Sequence, residues 1–394
     1  MIERMCAVNA IHRRAVLAIS VVCLLADCAS APQFHARPDL LHDEWFGQGA
    51  GPAARIIAPD AVLALSAETA AVLDTALLRT GNASQRVELL VDAIYGPQRH
   101  EFDYLSAVTT PADQTFRQHA GNCLSLALMS LALADRFGLD AQLHEVPMVP
   151  MWERQGKFDL ISGHVFVVVR RSRFPDSRTI DLAGDLVIDF DPVVRSAYSG
   201  RIRSVPISRA RGLAMFYNNR GAEAYVAGKN GEAYANYRQA AELEPAFYPT
   251  WFNLSRLYLR VGRTAAAEAV LRHALEIDPK NYNGLQTMQG LLGKQGRDAE
   301  AALYAQRIAQ LSDDDPYHHY MIGAEKFAQG DLRGAIRSFE RATSLGVGFV
   351  EIHEALRDAY RATGDVDRAI LQKRHLLELA KARPDRNALS PTGR

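Results

Sequence analysis

The sequence has few cysteines, no excess of charge and no long apolar run, and these shortages limit what the protein can be. Lysine plus arginine equals aspartate plus glutamate, at 45 each, so the basic field that drives nucleic-acid binding is missing. No stretch reaches the roughly 18 apolar residues of a membrane-spanning helix. We therefore predict no nucleic-acid partner and no transmembrane helix. The length of 394 residues favours two domains.

The N-terminus has the pattern of an export signal. Arg13 and Arg14 precede a short apolar stretch, residues 15–26, so a charged region is followed by a hydrophobic one that is too short to span a membrane. Such a segment is removed from the mature protein. We therefore predict an exported chain in which residues 1–28 are a signal peptide with its processing box.

A lipidation site follows the apolar stretch. Residues 25–30, LADCAS, resemble the bacterial lipoprotein box, in which the cysteine carries lipid and becomes the mature N-terminus. Asp27 departs from that pattern, because glycine, alanine or serine usually precedes the cysteine. The resemblance implies lipidation of Cys28 and a place at the periplasmic face of the outer membrane. Two alternatives are cleavage after Ala31 by an ordinary signal peptidase, which gives a soluble periplasmic or secreted protein, and retention of the segment as an anchor.

Export would leave Cys123 as the only free thiol, because Cys6 and Cys23 leave with the signal. An exported cysteine normally has a disulfide partner, so a lone thiol points to a function. Asn122 can cap a helix that begins at Cys123, and Gly138 can end it in the left-handed conformation. The intervening run is apolar almost all round, which predicts a buried helix. The partial positive charge at the N-terminus of this helix favours the thiolate form of Cys123. The alternative is that Cys123 is an inert buried residue, as free cysteines often are.

Around this helix the pattern predicts an α+β domain over residues 61–212, after a linker over 29–60. The linker prediction rests on scattered prolines and glycines without a sustained period. Residues 147–162, rich in proline, methionine and glycine, predict a long loop. Helices are predicted from Ser66, over 84–95 and near 115–119, and strands over 141–146, 164–169, 179–182 and 186–191.

A cysteine nucleophile needs a base, and the base needs an acceptor that orients it. The candidate bases are His119, His144 and His164, and the candidate acceptors are Asp181, Asp189 and Asp191. His164 opens a buried apolar strand, where a histidine without a role would need a costly polar partner. Asp189 and Asp191 are two residues apart and therefore share one face of a strand.

Four segments resemble the transglutaminase-like superfamily, whose fold is similar to that of papain-like cysteine peptidases. They are Gly121-Asn122-Cys123, Gly138-Leu139-Asp140-Ala141, Gly163-His164-Val165 and Ile188-Asp189-Phe190-Asp191-Pro192. The resemblance covers about residues 85–195 and implies that Cys123 is the nucleophile and His164 the general base. It favours Asp191 as the acceptor, because the family's aspartate commonly precedes proline, with Asp189 as the close second. Val165-Phe166 departs from the Ala-Trp that many members carry after the histidine.

The chemistry that the resemblance implies is acyl transfer. Cys123 attacks a carboxamide or peptide carbonyl, and His164 protonates the leaving amine and then activates water or a second amine. Water as acceptor makes a peptidase or amidase, whereas lysine makes a protein crosslinker. The backbone N–H of Cys123 and the side chain of Gln118 are candidate donors to the oxyanion. A metal site at Cys123, His144 and His164 is a third interpretation, but these residues lack the short paired spacing of metal ligands, so we predict no metal and no cofactor.

From Leu213 onward, small residues recur every 34 residues. The repeated positions are Gly228, Gly262, Gly296, Gly330 and Gly364, and Ala233, Ala267, Ala301, Ala335 and Ala369. This is the tetratricopeptide period, in which each unit is a helix pair and the glycine ends the first helix. We predict about five repeats over residues 213–384, followed by a tail over 385–394. Such repeats stack into a superhelix whose groove would bind a protein or peptide.

Two functions are compatible with these features. The first is an envelope-located thiol acyl-transfer enzyme whose repeats bind a substrate or partner. The second is a transglutaminase-like lipoprotein that has lost activity, as many family members have, and serves as an interaction scaffold. Retention of cysteine, histidine and aspartate in the family's order favours the enzyme, since a purely structural domain does not need a lone exported thiol.

Overall fold

A computed structural model describes residues 34–47, 56–95, 102–105, 108–155, 158–170, 185–190, 204–311, 316–345 and 350–381. In this part of the chain, no helix combines the length and apolar content needed to cross a membrane. Several sequence predictions fall outside it: the signal peptide with Cys28, the 179–182 strand with Asp181, Asp191, and the C-terminal tail.

Helices and two small sheets make up the described chain before residue 209. The helices are α1 (Pro59–Leu63), α2 (Ala67–Leu77), α3 (Ala83–Tyr95), α4 (Ala112–Gln118) and α5 (Cys123–Arg136). The predicted start at Ser66 is confirmed, because its side chain accepts a hydrogen bond from the N–H of Thr69. The 84–95 helix is confirmed to within one residue, and the helix near 115–119 begins three residues earlier than predicted.

A four-stranded antiparallel sheet packs against α5. The strands are β3 (Ala141–Gln155), β4 (Phe158–Val169), β5 (Leu186–Ile188) and β6 (Val205–Ile207). Strands β3, β4 and β5 form a meander, and β6 pairs with the other edge of β3, which gives the order β5-β4-β3-β6. Two further strands, β1 (Asp103–Tyr104) and β2 (Ala120–Gly121), pair in parallel immediately before α5.

The predicted loop over 147–162 is wrong. Strand pairing continues as far as Gln155 opposite Phe158, so β3 and β4 form a long hairpin. The register shifts between Val146 and Pro150, where β3 contains more residues than its partner. The prolines and this irregularity interrupt the alternation by which a strand is recognised, which explains the error.

Helix α5 is the centre of the first core, as its apolar pattern predicted. Every residue from Cys123 to Ala134 is buried. Leu143, Val165 and Val167 of the sheet belong to the same cluster. The caps are also confirmed, since Asn122 Oδ1 accepts from the Ser125 N–H at 2.8 Å and Gly138 has a φ of 63°. The first turn of a rigid, buried helix therefore carries Cys123.

Ten helices in antiparallel pairs form the described chain from residue 209 onward. They are α6 (Arg209–Val226), α7 (Asn230–Leu243), α8 (Tyr248–Arg260), α9 (Thr264–Ile277), α10 (Tyr282–Lys294), α11 (Asp298–Ala309), α12 (Pro316–Ala328), α13 (Leu332–Leu345), α14 (Val350–Thr363) and α15 (Val366–Lys381). The five glycines spaced by 34 residues all have φ between 71° and 83°, so each adopts the left-handed conformation that ends a first helix. The 34-residue helix-pair repeat is confirmed.

The predicted boundary between residues 212 and 213 lies inside α6. Gly212 lies so close to Leu143 that an added Cβ would be 2.5 Å from its Cδ1. Phe216 and Tyr217 are buried in the α5 core. The first helix of the repeats therefore also packs against α5 and contributes side chains to the N-terminal core.

The predicted linker is wrong for residues 37–46, which we call the strap. The strap forms two short 3-10 helices, Pro38–Leu40 and Asp43–Trp45. The Tyr258 hydroxyl donates to the Leu40 carbonyl at 2.9 Å, and Tyr234 donates to Asp43 at 2.7 Å. Phe46 stacks on Tyr234 with ring centroids 4.3 Å apart. The apolar and aromatic residues of the strap outweigh the prolines and glycine that suggested a linker.

Candidate active site

The structure places Cys123 at the first position of α5, directly after its cap Asn122. Cys123 forms no disulfide, and the residue is 5% exposed. Gly121 allows the loop to approach the helix closely, because an added Cβ would lie 2.8 Å from Ser125 Cβ. Cys123 therefore lies at the positive end of the helix dipole on a tightly packed turn.

His164 and Asp189 form a buried pair beside this helix end. His164 Nε2 donates to Asp189 Oδ2 at 2.9 Å. The two residues are 0% and 6% exposed. His164 lies on β4, and Asp189 directly follows β5, which pairs with β4 through Val167 opposite Ile188. The two strands therefore bring together residues that are 25 positions apart in the sequence.

The imidazole of His164 interacts with both Asp189 and Cys123. Burial alone lowers the pKa of His164, but hydrogen bonding and charge interactions with these two residues outweigh it and raise the pKa to about 10. Nε2 is bound to Asp189, so the interaction with Cys123 falls to Nδ1. Nδ1 has no partner of standard hydrogen-bond geometry among the described residues. Such contacts are often loose in substrate-free sites and shorten when substrate binds.

The other two candidate histidines have different surroundings. His119 ends α4 with a φ of 50°, and its ring lies 5.2 Å from that of Phe102. His144 is buried, bonds Ser204 Oγ through Nδ1 at 3.1 Å and stacks with Phe166. Burial lowers the pKa of His144. Of the three candidates, His164 is the one whose ring interacts with Cys123.

Gln118, the candidate oxyanion donor, is exposed on α4. Its Oε1 accepts from Gln114 Nε2 at 3.3 Å. The aspartate that the family resemblance favoured, Asp191, and the lipidation candidate Cys28 lie outside the described residues. The described site thus consists of Cys123, His164 and Asp189.

Sequence reasoning missed a polar network behind Cys123. Asn122 Nδ2 donates to Thr109 Oγ1 at 2.8 Å, and the Thr110 N–H donates to Ser125 Oγ at 2.9 Å. The Thr109 N–H donates to Glu223 Oε1 on α6 at 2.8 Å. Ser125, a polar residue at the third position of an apolar helix, could have indicated this network in the sequence. Nothing near Glu223 in the sequence distinguishes it from the other charged residues of the repeats.

A family model described as "Tetratricopeptide repeat" matches residues 224–292. The C-terminal part is a tetratricopeptide-repeat array. This match agrees with the five left-handed glycines and with the close contact of Gly221 and Tyr237 between the first two repeat helices. No curated protein matches the sequence.

Solved structures with similarity to the chain include the following three. MamA from Desulfovibrio magneticus RS-1 is 17% identical, with 44% of this chain and 97% of that one covered and a TM-score of 0.28. YrrB, described as a TPR protein with an unusual peptide-binding site, is 20% identical, with 44% and 88% covered and a TM-score of 0.24. The APC/C hetero-tetramer Cut9–Hcn1 is 20% identical, with 43% and 33% covered and a TM-score of 0.30.

Proposed function

We propose that this protein is an exported thiol acyl-transfer enzyme with a transglutaminase-like, papain-like catalytic domain. Cys123 is the nucleophile, His164 the general base, and Asp189 the residue that orients the imidazole. The observation that carries this proposal is the buried His164–Asp189 pair beside a lone thiol at a helix N-terminus. The order of the elements supports it too, since a buried helix with the cysteine precedes antiparallel strands with the histidine and the aspartate.

Asp189 is preferred to Asp191 because it accepts the hydrogen bond of His164. With Nε2 bound to a carboxylate, the imidazole is held in one orientation and its Nδ1 is directed to the thiol. A neighbouring carboxylate also stabilises the imidazolium that forms when the thiol gives up its proton. The arrangement thus assigns one role to each of the three residues.

The reaction proceeds in two halves. In the resting pair the proton of the Cys123 thiol is on His164, and the thiolate attacks the carbonyl carbon of an amide to form a tetrahedral oxyanion. The amide C–N bond then breaks, the amine leaves with the proton from His164, and a thioester remains. Water or a second amine gives a proton to His164 and attacks the thioester, which releases the product and restores the pair of thiolate and imidazolium. Backbone N–H groups at the open end of α5 face the developing negative charge.

The alternative is an inactive scaffold, and burial of the thiol is the observation that favours it, since Cys123 is only 5% exposed. Tetratricopeptide repeats suggest a protein-interaction role whether or not the site is active. In the enzyme, we propose, the repeats bind a protein substrate or partner. In the scaffold, the same repeats would be the whole function.

Alkylation of the folded protein separates the two functions. In the enzyme, iodoacetamide at pH 7 is expected to modify Cys123 at least about 10-fold faster than a free cysteine peptide, because the adjacent imidazolium favours the thiolate. Mass spectrometry of the Cys123 peptide measures the rate, and a Cys123→Ser variant gives the background. A thiol that reacts only after unfolding supports the scaffold.

We further propose that Cys28 is lipidated and holds the protein at the periplasmic face of the outer membrane. The support is the sequence of residues 25–30 and the preceding charged and apolar segment. Cys28→Ser is expected to move the protein from the membrane fraction to the soluble or unprocessed fraction, measured by fractionation and by the mass of the mature N-terminus. A Cys23→Ser variant is the control and should remain in the membrane fraction. A Cys28→Ser protein that is still processed and membrane-bound would contradict lipidation.

A further inference from the structure

Glu223, on the first repeat helix α6, binds the backbone of Thr109 in the loop that precedes α4. Its Oε1 accepts from the Thr109 N–H at 2.8 Å, and its Oε2 accepts from Arg220 at 2.9 Å. The carboxylate is largely enclosed, and burial raises its pKa. A hydrogen bond to a charged acceptor is stronger than one between neutral groups, so this contact fixes the backbone at Thr109.

From Thr109 the hydrogen bonds continue to the helix cap. Thr109 Oγ1 accepts from Asn122 Nδ2 at 2.8 Å, and Asn122 Oδ1 accepts from the Ser125 N–H at 2.8 Å. Both Asn122 and Thr109 are buried. The side-chain amide of Asn122 is thus held at both ends, which fixes the backbone of the residue that directly precedes Cys123.

Packing of α6 on the N-terminal core does not depend on Glu223. Phe216 and Tyr217, about two turns earlier on α6, are buried in the α5 cluster. The Tyr217 hydroxyl also donates to the Ile57 carbonyl at 2.5 Å. Glu223 adds a polar contact at a different place, to the backbone of Thr109.

We propose that Glu223 is a positioning residue for Cys123, through which the first repeat helix sets the reactivity of the thiol. This inference rests on the proposed function, since it requires a reactive Cys123. Its consequence is that a ligand of the repeats that moves α6 changes the rate of chemistry at the cysteine. The repeats then regulate the site as well as recruit to it.

Three variants test the role of Glu223. Glu223→Ala removes the acceptor and is expected to slow iodoacetamide alkylation of Cys123 about 10-fold at pH 7, because small misplacements of reacting groups have large rate effects. Glu223→Gln keeps an acceptor oxygen at the same distance and should restore most of the rate. Thr109→Val breaks the next link in the network with little change of volume and should behave like Glu223→Ala.

Glu268→Ala is the matched control. Glu268 is a similarly enclosed glutamate on α9 that pairs with Arg272 and Arg297, and its partners lie within the repeats. The Glu268→Ala variant should have the same rate of Cys123 alkylation as wild type across pH 5–9. Equal slowing by Glu268→Ala, or wild-type rates in both Glu223→Ala and Thr109→Val, overturns the positioning role alone. A wild-type thiol that does not react overturns the proposed function, and the positioning role with it.

Discussion

Replacement of His164 by alanine is expected to slow alkylation of Cys123 at pH 7 by about 100-fold, the lower end of the range for loss of a positioned base. The imidazole is buried against Asp189, and its pKa of about 10 keeps it charged at neutral pH. That positive charge beside the thiol favours the thiolate, which is the reactive form. Without it, the helix dipole alone favours the anion.

His144→Ala is the matched control for this experiment. His144 is also a buried histidine of the same sheet, on the strand next to that of His164, but its Nδ1 bonds Ser204. The alkylation rate of His144→Ala should stay within about 2-fold of wild type, provided that circular dichroism shows the fold intact. Equal loss in both variants would mean that the effect comes from damage to the sheet.

The same assay decides between the two aspartates. Asp189→Asn leaves a hydrogen-bond acceptor of the same size but removes the negative charge that stabilises the imidazolium. The alkylation rate should therefore fall by roughly 10-fold or more. Asp191→Asn should have little effect. The reverse result would show that Asp191, the aspartate before Pro192, orients the histidine.

Protein stability is expected to fall between pH 6.5 and about pH 10 because of His164. A histidine whose pKa is raised on folding contributes its full stabilisation below the unfolded pKa of 6.5 and loses it as the pH passes through the folded pKa of about 10. Within this interval the imidazole of His164 holds a proton in the folded chain that it lacks in the unfolded chain. Below about pH 8.5 a folded Cys123 thiolate offsets this difference, because the unfolded thiol keeps its proton, so the decline is steepest from about pH 8.5 to about pH 10. The free energy of unfolding should therefore decline by up to about 1.4 kcal/mol per pH unit from this group.

Urea unfolding of His164→Gln against wild type measures that contribution, since the slope should be shallower in the variant. Cys123 and Asp189 face the imidazole, so both are left unchanged. His144→Gln is the control. Because the pKa of His144 is lowered on folding, its own effect lies below pH 6.5 and the slope above it should match wild type. Parallel slopes for His164→Gln and wild type would contradict a charged His164.

Features with local causes could be predicted from the sequence. The cap Asn122, the apolar run of α5 and the terminator Gly138 all lie within one helix, and the structure agrees with each. The repeats could be predicted because each unit imposes the same steric demands every 34 residues, such as a glycine with positive φ.

Features that depend on distant contacts could not be predicted. The choice between Asp189 and Asp191 depends on where β5 ends, and pairing stops at Ile188. The strap and Glu223 gain their importance from surfaces contributed by other parts of the chain; Thr109 and Glu223 are separated by 114 positions. A sequence pattern shows which residues are apolar or charged, but it does not show which distant residues each of them will contact.

The strap also determines how partner proteins should be sought. A fragment that begins at residue 213 would lack both the strap and the first turn of α6, so Tyr234 and Tyr258 would lose the chain segment that covers them. Arg238 would lose its ion pair with Asp43 and keep the one with Glu242. Bait prepared from the repeats alone would therefore expose a surface that the strap covers in the full chain. Bait that begins at or before Arg37 would present to a partner only the surface that the strap leaves uncovered.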